Sequence, residues 1–252
     1  MPILHEFNTE TVHAPTDPKP DTQETLYFPH PFVARPRLPH GLRELDIDKN
    51  ANIRVKAIDD VFVLPPADMQ YLTGEHMRNL LINPDDPASV RVDFERPFIT
   101  PPKVVVFLNY IDLDNTRNWR LKTTATDIDV TGFTLTIESW GDTILYAAQA
   151  CWVAYPEDEE HIFSMSANTM DVRPRDQPRL RQSKLISFND VKFWKYPAVF
   201  VALNSIDIDC KANLRINAYV NDVSRTGLVW HIDTWADTIL YSAGASIIAF
   251  NE

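Results

Sequence analysis

The chain has 252 residues with 6 glycines, 19 prolines and a formal net charge of −11. Average usage would supply about 18 glycines. Neither G-x-G-x-x-G nor G-x-x-x-x-G-K-[ST] occurs, which excludes the common glycine-rich phosphate loops, and the acidic balance makes nucleic acid and anionic membrane surfaces poor partners.

Residues 1–27 are polar and proline-bearing, with no basic stretch leading into an apolar run. No secretory signal is expected, and the reading is cytoplasmic or non-classically secreted. A first unit follows at 28–56, where Leu38-Pro39-His40-Gly41 would spoil a central strand. Residues 67–91 form a second polar lead, within which Gly74–Ile82 is the only helix candidate. Val90–Phe94 reads as a strand before a Pro101-Pro102 corner. Val104–Ile111 is a β-branched and aromatic run suited to a strand covered on both faces. Asn118–Thr126 alternates more weakly. In Gly132–Trp140 the residues Phe133, Leu135 and Ile137 share one face, and Thr134, Thr136, Glu138 and Trp140 share the other. Ile144–Tyr155 is a long final strand. A third lead spans 158–186, and the same strand order then recurs to Phe250. The longest apolar run, about 7 residues, is far short of the roughly 20 a helical membrane span needs.

That recurrence is an internal repeat. Residues 98–155 align without gaps on 193–250, with about 41% of positions identical where chance gives about 6%. Residues 28–56 align on 94–122, sharing Phe28, Pro31, Phe32, Pro36, Leu42, Asp46, Asp48, Asn52 and Arg54 with it. The match then stops and resumes near Val61–Pro66. The expected organisation is a partial repeat at 1–62, then a linker with a complete repeat at 63–157 and another at 158–252. With five or six short antiparallel strands per repeat, the fold class is all-β, a tandem of β-sandwiches.

Several recurring residues carry chemistry. Arg54, Arg120 and Arg215 each follow an asparagine by two positions. A guanidinium fork suits sugar hydroxyls or carboxylates, while the structural alternative is an ion pair to a same-repeat aspartate such as Asp112. Trp140 and Trp235 sit at strand ends on a polar face, as contact platforms or under a neighbouring segment. Asp142-Thr143 and Asp237-Thr238 occupy the next turn, where an aspartate either holds the turn or accepts from a ligand. The pairs Asp46/Asp48, Asp112/Asp114 and Asp207/Asp209 lack the further ligands and glycine kink of a calcium loop, so no metal or cofactor is expected. Cys151 and Cys210 have no metal spacing. A glycosidase would need a paired acid and base, such as Glu138 with Asp142. No histidine recurs between repeats, and an enzyme is not expected.

Each complete repeat resembles the H-type lectin domain, through the segments Phe98–Tyr155 and Val199–Phe250 with their Phe–Pro corner, L/I-D, N-x-R, T-G and W-x-D-T-x-x-Y spacings. The resemblance implies a six-stranded antiparallel β-sandwich that binds glycans carrying galactose or N-acetylgalactosamine. It implies site residues Arg120, Trp140, Gly141 and Tyr146 in one repeat and Arg215, Trp235, Ala236 and Tyr241 in the other. An aspartate from a neighbour's lead, Asp171 or Asp176 here, would complete the site. A histidine often follows the site tryptophan in that family. Gly141 and Ala236 stand there instead, so one hydroxyl contact is lost, and Asp142 and Asp237 are placed to compensate. The family forms trimers, so three repeats in one chain suggest an intramolecular pseudo-trimer, or a homo-oligomer that completes the ring. The rival reading is an adhesion or protein-interaction module that has lost sugar binding.

Overall fold

A computed structural model describes residues 3–4, 22–23, 25, 39–57, 62–63, 71–189 and 191–251. The entry corner expected at Phe28, Pro31, Phe32 and Pro36 lies outside these residues. Among them every regular element is a strand, save one short 3-10 turn at Thr169–Asp171. The first repeat supplies β1 (Ile3–Leu4), β2 (Glu44–Ile47), β3 (Ile53–Lys56) and β4 (Phe62–Val63). The second supplies β5 (Leu72–Asn79), β6 (Ser89–Asp93), β7 (Lys103–Leu113), β8 (Trp119–Asp129), β9 (Gly132–Glu138) and β10 (Leu145–Tyr155). The third supplies β11 (Ile162–Asn168), β12 (Ser183–Ser187), β13 (Ala198–Ile208), β14 (Leu214–Asn221), β15 (Gly227–Asp233) and β16 (Leu240–Phe250). No helix among the described residues is long and apolar enough to cross a membrane.

Each complete repeat is a six-stranded antiparallel sandwich. In the second, β5-β10-β7 faces β6-β9-β8; in the third, β11-β16-β13 faces β12-β15-β14. The period-two reading of β9 holds: Phe133, Leu135 and Ile137 are buried, and Thr134, Thr136 and Glu138 are half-exposed. β7 and β10 are buried along most of their length, as continuous apolar runs require.

Two expectations are corrected. Gly74–Ile82 is not a helix. Leu72–Asn79 is a strand paired along its whole length with β10, from Asn79 opposite Ala147 to Leu72 opposite Ala154. Its burial alternates with period two from Gly74 to Arg78, and a full ladder outweighs the modest helix propensity of Glu75, Met77 and Arg78. The leads are likewise not mere connectors. β11 pairs with β16 as β5 pairs with β10, and β12 pairs with β15.

The repeats are joined by one coupling used three times. β3 of the first repeat pairs with β7 of the second, β8 of the second with β13 of the third, and β14 of the third with β2 of the first. The register repeats too: Arg54 lies opposite Asp112, Arg120 opposite Asp207, and Arg215 opposite Asp46. These couplings close a ring within one chain. Leu42, Leu108 and Leu203 hold equivalent positions in the three repeats. Leu42 N–H donates to the Leu108 carbonyl at 2.8 Å, and Leu203 N–H donates to the Leu42 carbonyl at 2.7 Å. All three side chains are buried. Gly41 explains why the first repeat abandons its central strand here: a Cβ would stand 2.5 Å from that of Ala202 and 2.8 Å from the Phe107 ring. The first repeat thus threads its backbone between the cores of the other two.

Candidate functional site

The N-x-R motif sits at each coupling, and both of its polar side chains reach across. Asn52 Oδ1 accepts from Asn115 N–H at 3.1 Å, Asn118 Oδ1 from Cys210 N–H at 3.2 Å, and Asn213 Oδ1 from Lys49 N–H at 3.1 Å. The three acceptors and the three donors are equivalent positions. The arginines follow the same order. Arg54 Nε donates to Asp112 Oδ2 at 2.9 Å. Arg120 Nε lies 3.4 Å from Asp207 Oδ1, and Arg215 Nε lies 3.4 Å from Asp46 Oδ1. The expected ion pair with a same-repeat aspartate is found, but with Asp142 for Arg120 and Asp237 for Arg215; Asp112 serves the preceding repeat's Arg54, and Arg120 also meets the following repeat's Asp207.

Two corners carry more. Arg120 Nη1 donates to Asp142 Oδ1 at 2.7 Å, and Arg215 Nη1 donates to Asp237 Oδ1 at 2.8 Å. Each guanidinium bridges the turn after β9 or β15 to the next repeat. That donated bond holds the carboxyls of Asp142 and Asp237 below the usual carboxylate range. Thr143 and Thr238 fix the turns by donating to the carbonyls of Asn118 and Asn213, at 2.6 and 2.7 Å. Trp140 is exposed and Trp235 half-buried beside these turns.

Tyr146 and Tyr241 donate to Asp114 Oδ2 at 2.7 Å and Asp209 Oδ2 at 2.8 Å, which raises both phenols above their ordinary value. Gly141 has φ +68° and Ala236 φ +56°. A Cβ on Gly141 would lie 2.9 Å from Arg120 Nη1, so the missing methyl uncovers that guanidinium.

The third lead contributes differently from expectation. Asp171 is turned inward on its own segment, accepting from Asn168 N–H at 3.0 Å to cap the 3-10 turn. Asp176 is exposed. The lead residue placed on the corner is Arg175, whose Nε donates to Asp207 Oδ2 at 2.8 Å and whose guanidinium lies 4.9 Å from the centre of the Tyr241 ring. Arg173 anchors the lead by donating to the carbonyls of Leu240 and Tyr241, at 2.7 and 2.9 Å. Neither arginine was singled out from sequence. The alternation of Arg173, Arg175, Arg179 and Arg181 in an otherwise acidic chain was the available signal. Elsewhere, Glu138 pairs with Lys122. Among the described residues no group of three His, Cys, Asp or Glu is placed to hold a metal ion.

The model of the H-type lectin domain matches the chain twice, at residues 89–155 and 183–250, together a little over half its length. A stretch of 70 residues is 36% identical to the Fuscovulum blasticum protein named ATP synthase subunits region ORF 7. That match covers 27% of this chain and 61% of the relative, so the chain spans less than two thirds of the relative's length.

Proposed function

Since the chain belongs to the H-type lectin domain family, a family of carbohydrate-binding domains, we propose that it binds glycans bearing galactose or N-acetylgalactosamine at two corners between its repeats. One corner lies between the second and third repeats and the other between the third and first. The observation that carries this reading is the same arrangement met twice: an arginine bridging a turn aspartate to the next repeat, beside a solvent-facing or half-buried tryptophan. The indole supplies a flat apolar face for the C–H side of a pyranose. The guanidinium donates to ring hydroxyls, and Asp142 or Asp237 accepts from them.

Such an open corner gives weak single-site affinity, so two sites in one ring act through avidity. The three cyclic couplings favour a single-chain pseudo-trimer over an assembly of chains. The first coupling holds Arg54 and Asp112, but its repeat has no W-x-D-T segment, so two sites are expected rather than three. The reading is of binding without catalysis, with the two carboxylates that hydrolysis would use, Glu138 and Asp142, engaged by Lys122 and Arg120.

A glycan array with wild type and with the double variant Trp140→Ala, Trp235→Ala tests this reading. Binding to galactose-type glycans that falls to background in the variant is the expected result. Wild type that retains no glycan would leave the adhesion-module reading in its place.

A further inference from the structure

The two corners differ in the arginines they expose. Between the second and third repeats, Asp207 is 1% exposed and lies beneath Arg120 and Arg175. Asp209 is also buried, holding Tyr241. Asp176 is exposed next to Arg175 in the lead, and Asp142 faces solvent at this corner. Beside it stands Arg117, whose Nε is 3.5 Å from Asp142 Oδ2. Arg117 and Arg175 are each about half exposed, at 51% and 52%. Two arginines thus face solvent here.

Between the third and first repeats the same positions read differently. Ala212 replaces Arg117. Asp46 and Asp237 are 55% and 71% exposed around a single arginine, Arg215. Asp48, the counterpart of buried Asp209, is exposed, and the exposed cations Lys49 and Lys211 lie beside it, Lys49 Nζ donating to the Lys211 carbonyl at 3.1 Å. Among the described residues, the arginine in the ion pairs of this corner is Arg215, and neither Arg117 nor Arg175 has an arginine counterpart here.

From this contrast we propose that the corner between the second and third repeats selects acidic sugars, and that Arg117 and Arg175 are its specificity-determining residues. The ligand class is a galactose-type glycan bearing a carboxylate or a sulfate ester. The other corner takes neutral sugars, whose hydroxyls donate to Asp46 and Asp237. This rests on the corners being sugar sites. It adds that the two sites of one molecule are not equivalent. Arg117 pairs with Asp142 and Arg175 with Asp207, and both guanidinium groups stay about half exposed, open to a second anion, which planar forks recognise well. Gly141 keeps that face open where Ala236 covers it with a methyl.

The test is binding of wild type, Arg117→Ala and Arg175→Gln to three immobilised probe sets: neutral, sialylated or uronic-acid-bearing, and sulfated galactose-type glycans. The quantity read is the ratio of acidic to neutral binding. Both acidic sets should exceed the neutral set for wild type. The ratio should fall about tenfold in each variant and decline with added salt. The carboxylate and sulfate arms tell which group is preferred. Arg117 is exposed, so its removal keeps the test sound if Arg175→Gln melts early. Neutral glycans binding while acidic ones do not would overturn the proposal and leave the sugar-site reading standing. Acidic binding at an unchanged ratio in Arg117→Ala would also overturn it. No binding of any set would overturn both readings.

Discussion

Arg120 and Arg215 hold the same place in two repeats yet carry different loads. Arg120 faces Asp207, which is almost fully buried, while Arg215 faces Asp46, which is mostly exposed. Removing a partner from a buried carboxylate leaves an undercompensated charge. Removing one from an exposed carboxylate returns it to water. Arg120→Ala should therefore cost about 1–3 kcal/mol, with Arg175 retaining part of the pairing, and Arg215→Ala less than about 1 kcal/mol; urea unfolding of both variants measures the difference. A second residue-scale contrast is pH-dependent. Asp129 accepts from the backbone and hydroxyl of Thr131, which lowers its pKa to about 2 from 3.8. Ser224 does the same work in the third repeat, accepting from Thr226 N–H and Gly227 N–H at 3.2 and 3.1 Å. A carboxylate whose folded pKa is depressed stabilises fully above its unfolded value and loses that contribution as pH falls through the folded one. Protection of the Gly132 amide should thus fall between about pH 4 and pH 2, while that of Gly227 stays level, as hydrogen exchange can read. These roles were half legible. The sequence marked the arginines, aspartates and turns, but a partner in another repeat is set by packing, so Asp112 looked like the natural mate of Arg120.

At the scale of elements, short strands with strict alternation were readable because burial on one face imposes period two directly on the residues. β9 and β15 are the clearest instances. β5 was misread because Met77, Leu80 and Leu81 fall at helical spacing, and its true pairing with β10 depends on residues far along the chain. The alternation of Ile162–Asn168 in the equivalent lead was the signal that could have corrected it. The asparagine clasps were also hidden, since their acceptors are backbone N–H groups that no side-chain pattern reveals. They are testable through Cys210, a half-exposed free thiol whose N–H is held by Asn118. Asn118→Ala should cost about 1 kcal/mol and speed thiol labelling of Cys210, while buried Cys151 labels at its former rate. Equal acceleration at both cysteines would mean global loosening instead of a released clasp.

At the scale of the whole molecule, the first repeat looked decayed because it lacks the W-x-D-T segment and interrupts its central strand with Pro39 and Gly41. Its retained residues have a different logic once the ring is seen. Asp46, Lys49, Asn52 and Arg54 are the positions that meet the neighbouring repeats, and Leu42 joins Leu108 and Leu203 between them. The repeat has kept its interfaces and dropped much of its own sandwich. Without it, β7 and β14 would each present an unpaired edge, and open edges recruit other chains. A chain lacking residues 1–57 should therefore self-associate, and light scattering should report a mass well above one chain. The full-length protein should scatter as a single chain under the same conditions. A stable three-chain assembly of the full-length protein would show that the couplings close between molecules. A truncated chain that stays monomeric would show that the first repeat is dispensable for sealing those edges.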